Sequence, residues 1–255
     1  MDDHRRENRR LWNEWSDTFQ AIWNSETADG ALPPAPSPFA PEAPGGRPEF
    51  FDGVEGRAYA ELGCGGGQGS VGTARLGADP VVGVDLSGEQ LRHARQLRAF
   101  YGVDARFLQG DVTDLPLPDD SVELASSEAA FQMVEQLDRA LGEARRVLRD
   151  DGVFVLSVPH ALYEALDAES RTLEGSYLDA GPRRITVDES YDAEMVVFDR
   201  PVSRLHNALV DAGFEIRRVI EHRAHQVREN EPADSDLPDV LWEVPRSVRF
   251  WAVAQ

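Results

Sequence analysis

The stretch from Ala58 to Ser70, A-Y-A-E-L-G-C-G-G-G-Q-G-S, constrains the fold of this chain more than any other. Ala58, Tyr59, Ala60 and Leu62 read as a short buried strand, and the five glycines from Gly63 to Gly69 as the turn carrying it into a helix. Glycine has no Cβ, tolerates positive φ and lets a small molecule approach the backbone. The bare N–H groups at the start of the following helix favour a carboxylate, hydroxyl or phosphate in that turn. Spacing then selects the ligand. A dinucleotide fingerprint, G-x-G-x-x-G or A, fails in both registers, because Gln68 or Ser70 stands in the last place. What stands instead is acid-x-Gly-x-Gly-x-Gly, with Glu61, Gly63, Gly65 and Gly67.

That arrangement resembles the first motif of class I S-adenosylmethionine-dependent methyltransferases, most of all their small-molecule, quinone-biosynthesis-like group. The resemblance covers roughly Glu61 to Val158. It implies an α/β fold: a doubly wound, Rossmann-like seven-stranded sheet, mostly parallel with an antiparallel last strand, with an N-terminal lid helix. Later features fall at matching distances. Val81 to Val84 read as a second strand ending at Asp85, where a carboxylate accepts from both hydroxyls of a ribose and Leu86 follows. NAD enzymes share that acid. Ser87 and Gln90 form a capping box for a helix with Leu91, Ala94, Leu97 and Phe100 inward and Gly102 as its stop. Ala105 to Leu108 give the third strand. Of the segment that follows it, the resemblance implies that Asp111 accepts from the adenine amine while the Val112 N–H donates to the ring; a turn cap is the other reading of Asp111.

Ser121 to Ser127 read as the fourth strand, whose end, Ser126 to Ala130, faces the reacting centre in open parallel sheets. Cys64 and Ser127 join the expected cofactor site. Glu128 either takes a proton from the acceptor or caps the helix that follows. Many members of the family carry a histidine where Met133 stands. Leu137 to Leu148 form an amphipathic helix, Gly152 is its turn residue, and Val153 to Val158 the fifth strand. His160 follows at the ligand-facing edge, as a general base or as a hydrogen-bonding fixture.

Ahead of this core, Arg5 to Trp23 read as an amphipathic helix with Leu11, Trp12, Trp15, Phe19, Ile22 and Trp23 at spacings of three and four. The stripe packs in the core or, with Trp15 and Phe19, covers the ligand. Seven prolines between Ala31 and Pro48 forbid helix and ladder and leave an extended strap, ordered where Phe39 docks. The expected division is residues 1–48 for helix and strap and 49–255 for the methyltransferase domain. A substrate-recognition insertion is expected at 161–197, with Tyr163, Tyr177, Tyr191 and Met195 beside the acceptor. Val202 to Asp211 then read as a helix closed by Gly213, Phe214 to Ile220 as a strand, His222 to Asp239 as an acidic loop and Val248 to Val253 as the final strand.

Charge bears on the partner. Acids number 46 against 26 bases, a formal −20, and every Lys/Arg position is arginine. Such a surface repels nucleic acid and anionic membranes, so a small-molecule substrate is expected. Acidic, lysine-free chains resemble those of salt-loving archaea; a GC-rich genome favouring arginine codons is the alternative. No apolar run has bilayer length and the N-terminus is charged, so a cytoplasmic protein is expected. Cys64 is the single cysteine and the histidines are scattered, so neither disulfide nor metal is expected. The function expected is methyl transfer from S-adenosylmethionine to a small acceptor by in-line displacement. An NAD-dependent oxidoreductase and a non-catalytic S-adenosylmethionine-binding protein are the alternatives.

Overall fold

The computed structural model describes residues 3–28, 37–41, 43, 46–178, 181–222 and 239–255. Half of the proline-rich strap and nearly all of the acidic loop after His222 lie outside these. Helix α1, Asp3–Ala28, precedes β1 (Tyr59–Leu62), α2 (Gln68–Arg75), β2 (Val81–Asp85), α3 (Gly88–Tyr101), β3 (Arg106–Gln109), β4 (Val122–Glu128), α4 (Leu137–Val147) and β5 (Leu148–Pro159). The insertion follows as α5 (Ala161–Ala165) and two hairpins, β6 (Leu166–Asp167) with β7 (Thr172–Leu173) and β8 (Pro182–Ile185) with β9 (Met195–Phe198). Then come α6 (Val202–Asp211), β10 (Phe214–His222), α7 (Asp239–Trp242) and β11 (Ser247–Ala254).

The main sheet has seven strands in the order β3-β2-β1-β4-β5-β11-β10. Six run in one direction, and β11 alone is antiparallel to both of its neighbours. The chain steps outward from β1 to β3, then returns to the other side of β1 with β4. The crevice outside the carboxyl ends of β1 and β4 is therefore the topological switch point, where open α/β sheets bind ligands. Because helices cover both faces, β1 is buried along its whole length, Tyr59, Ala60 and Leu62 together with the carboxyl of Glu61. One core lies under α4 and α6, around Leu124's neighbour Ala125, Phe154, Leu205 and Phe250. The other lies under α2, α3 and the strap, where Phe39 packs its ring on Phe51, Tyr59 and Trp251 at centroid distances of 5.1, 5.8 and 5.6 Å.

Two details depart from the sequence reading. Phe100 is 64% exposed; Leu91, Ala94 and Leu97 with Gln90 form the inner face of α3, and Tyr101 turns back to take Arg75 over its ring at 4.9 Å. At the exit of α4 the left-handed residue is Asp151, φ 61°, rather than Gly152. Gly152 is needed for space, since a Cβ there would stand 2.7 Å from the Arg149 carbonyl oxygen.

Gly67 ties the glycine turn to the layer behind it. It caps α2 at φ 78°, and an added Cβ would fall 2.8 Å from Ala94 Cβ and 2.9 Å from Phe107 Cζ. Gly67→Ala combines a left-handed strain with overpacking, a cost of about 2–3 kcal/mol. Thermal denaturation followed by circular dichroism should show Tm lowered by roughly 5–10 °C.

Candidate active site

A cavity of about 610 Å³ lies at the switch point, between the glycine turn and the underside of α1. Its floor is stitched to β2: the Gly63 and Cys64 N–H groups both donate to the Val84 carbonyl, at 2.8 and 3.0 Å. Gly63 sits at φ 79°, and a Cβ there would meet Ala130 Cβ at 2.3 Å, so only glycine lets the turn pass the end of β4. Asp85 fixes the turn from the side. Its Oδ2 accepts from the Gly65 N–H and its Oδ1 from the Ser87 N–H, each at 2.8 Å. Burial raises the pKa of this carboxyl, and the Ser87 and Gly65 N–H groups oppose the rise. The Ser87 hydroxyl in turn caps α3 by accepting from Gln90 N–H.

Glu61 lies beneath the turn. It accepts from the Ser70 hydroxyl and fills the space that a side chain at position 69 would need. Removed from water, its carboxyl is pushed up to about 8. Burial likewise raises the Cys64 thiol, which is the opposite of what a nucleophilic cysteine requires.

Leu86, Asp111 and Val112 line the far end, beyond β2 and β3. Asp111 is engaged twice: Oδ1 accepts from the Thr113 N–H and hydroxyl at 2.8 Å, and Oδ2 pairs with Arg5 of α1. The lid is α1 itself. Trp12, Trp15 and Phe19 form a cluster with centroids 5.0–5.2 Å apart and, with Trp23, face the cavity. The buried side of the helix is largely polar. Asn8 bonds both the N–H and the carbonyl of Val196 on β9, at 2.7 and 2.9 Å, and Gln20 donates to Gln90 at 2.7 Å.

The near end is formed by Glu128, the segment after it, Met195 and Arg249. Trp12 Nε1 donates to Met133 Sδ at 3.1 Å, and buried Arg200 donates to the carbonyls of Phe131, Val134 and Glu135, holding that segment in place. Among the described residues no group of three or more His, Cys, Asp or Glu side chains could hold a metal, and no helix is long and apolar enough to cross a membrane.

Glu61, Gly63, Cys64, Gly65, Asp85, Leu86, Asp111, Val112, Glu128, Trp15 and Phe19 thus come together on one cavity. Five others do not line it. Gly67 packs behind the turn, and Ser127 is buried with an unpartnered hydroxyl among the described residues. His160 is a fixture: Nδ1 accepts from Leu162 N–H at the start of α5, which leaves the Nε2 proton for Glu221 at 2.9 Å, and Tyr177 stacks on the ring. Tyr163 lies under Arg246, and Tyr191 bonds Thr18 at 3.1 Å outside the cavity. Sequence reading passed over Arg5, Asn8 and Arg249. The available signal for Arg249 was a charge inside an otherwise apolar strand.

Glu61 makes stability pH-dependent. Between its unfolded value near 4.5 and the folded value of about 8, the native state holds a proton that the unfolded chain has lost, so stability falls as pH rises through that window. Glu61→Gln removes this slope. Its Tm should gain on the parent's by on the order of 5 °C between pH 5 and pH 8, measured by calorimetry on the ligand-free protein.

Residues 60–156 match the family described as "Methyltransferase domain". An S-adenosylmethionine-dependent methyltransferase from Mesorhizobium loti superposes with a TM-score of 0.66 at 30% identity, over 80% of this chain and 94% of that one. A malonyl-[acyl-carrier protein] O-methyltransferase of Pectobacterium atrosepticum is 35% identical over 49% of this chain and 52% of its own length. A fatty-acid O-methyltransferase of Mycolicibacterium smegmatis is 27% identical over 69% and 65%. The chain therefore spans about half to two thirds of the length of these curated relatives. A nucleoside with an amino-acid tail suits the donor set, because glycine backbone lies open beside carboxylates ending successive strands. The chain belongs to the class I S-adenosylmethionine-dependent methyltransferases, and S-adenosylmethionine is its cofactor.

Proposed function

We propose that this protein transfers the methyl group of S-adenosylmethionine to a small-molecule acceptor held beneath α1. The observation that carries the reading is one cavity with two unlike halves. Glycine backbone and the carboxylates Asp85 and Asp111 form one; an aromatic and thioether wall closes the other. When bound, S-adenosylmethionine supplies a methyl group already activated on a sulfonium. The chain then has to hold, align and keep water out, and proximity supplies most of the acceleration. Gly63, Cys64 and Gly65 lend backbone to the amino-acid tail, Asp85 with Leu86 the sugar contact, and Val112 with Asp111 the base contact, where Asp111 shares its charge with Arg5. The carboxylates Asp85 and Glu128 suit a cationic donor. An oxygen acceptor is supported by the two O-methyltransferase relatives. The formal −20 charge supports a metabolite rather than nucleic acid, and a salt-adapted cytoplasmic protein.

The test is methyl-labelled donor turned over on a cell extract. Label should enter low-molecular-mass products and leave protein and RNA unlabelled; label in RNA would refute the substrate class. Asp85→Ala removes charge-assisted bonds worth about 1.5–3 kcal/mol each. Calorimetry with S-adenosylhomocysteine should then show affinity lowered at least about tenfold, and unchanged affinity would take Asp85 out of the site.

A further inference from the structure

The near half of the cavity narrows the acceptor, on the reading that the far half holds the methyl donor. Glu128 ends β4 and Arg249 stands on β11. Both are in register with Ser157 of β5, so their side chains rise from the same face of the sheet. Arg249 is only 7% exposed, on a strand whose neighbours Val248, Phe250 and Trp251 are buried and apolar, yet it lines the cavity. Its Nη2 donates to Glu128 Oε2 at 3.2 Å. Glu128 uses that one oxygen for the pair. Its Oε1 is shut into the wall and, among the described residues, meets no hydrogen-bond partner. The open part of Glu128, 34% of its side chain, is therefore the Oε2 edge and the methylenes. A buried ion pair is seldom more stabilising than apolar residues of the same volume, so fold stability alone is a poor reason for this one.

Side by side, the pair offers the cavity a cationic donor and an anionic acceptor. A carboxylate is drawn to Arg249 and repelled by Glu128, and an ammonium meets the reverse. A neutral hydroxyl satisfies both through one atom, since its oxygen accepts from the guanidinium while its hydrogen goes to the carboxylate. Trp12, Trp15, Phe19, Met133 and Met195 line the same cavity. These favour a flat apolar body, stacked or edge-on to the rings and against sulfur.

We propose that the acceptor is a neutral hydroxyl on a flat apolar ring system, of phenol or enol class, and that Glu128 and Arg249 are catalytic residues for its O-methylation. As the oxygen–methyl bond forms and the sulfur–methyl bond breaks, the hydroxyl proton passes to Glu128 Oε2, which later releases it to water. Arg249 stabilises negative charge on the oxygen while it attacks, and the donor's positive charge is discharged as a neutral thioether.

1-Naphthol, 1-naphthoate and 1-naphthylamine share one body and differ in the head group. Each is titrated against the protein with S-adenosylhomocysteine present, read by tryptophan fluorescence, and each is offered with labelled donor for turnover. Naphthol should bind at least about tenfold tighter than the other two and alone be methylated. Glu128→Gln, close to the parent in volume, should keep naphthol binding within about threefold while lowering kcat about a hundredfold. Arg249→Lys, checked for folding by circular dichroism, should weaken both binding and kcat. Preference for the acid or the amine, no binding by any of the three, or a Glu128→Gln kcat equal to the parent's would overturn the proposal. Calorimetry with S-adenosylhomocysteine on the same preparations separates the two readings: a protein that fails to bind it overturns the donor site, whereas one that binds it but inverts the acceptor order overturns only this assignment.

Discussion

The site's shape depends on the double hydrogen bond of the Asp85 carboxylate. One oxygen holds Gly65, the other holds Ser87, and the two segments so joined are the turn after β1 and the start of α3 after β2. Burying an anion there is unfavourable, and two charge-assisted N–H bonds offset that penalty. The turn cannot shift without breaking one of them or releasing the Val84 carbonyl, which takes two N–H groups of its own. The backbone proposed to meet the cofactor is thus set before any ligand arrives, the condition under which a binding loop loses least freedom on binding.

The parallel core was legible because its signals are local. A glycine turn after a buried run, the Ser87 cap three residues before Gln90, and Gly102 at a left-handed helix stop each decide a boundary from a handful of neighbours. The half of the cavity proposed for the donor is legible for the same reason: Glu61 to Val112 is one continuous stretch that visits the carboxyl ends of three adjacent strands. The half proposed for the acceptor draws on α1, the segment after β4, the edge of β9 and the last strand. Only the tertiary fold brings Arg249 to Glu128. The tyrosines of the insertion were mistaken for lining because composition cannot tell which side of a hairpin meets the cavity. His160 is likewise at the expected edge of the sheet, yet both ring nitrogens are spent on the start of α5 and on Glu221.

The first helix shows how periodicity can be right and its polarity misread. A stripe at spacings of three and four fixes which residues share a face, but not whether that face meets protein or ligand. Here the aromatic stripe faces the cavity. Leu11, Ser16 and Gln20 are buried beside that stripe, and Asn8, buried at its edge, substitutes for a strand residue by bonding both backbone groups of Val196, while Gln20 ties to α3. The helix is seated by these hydrogen bonds and by buried Leu11, which leaves its aromatic stripe for whatever occupies the cavity.

The position of Cys64 gives the chain an intrinsic clock. The one thiol of the protein sits inside the turn, shielded from water and held in its unreactive protonated form. Alkylating reagents reach it only through the cavity or when the turn lifts away from β2, so the rate at which the folded protein is modified measures how accessible the cradle is. Local breathing of the cofactor cradle is thereby recorded by a single atom, without any label being introduced.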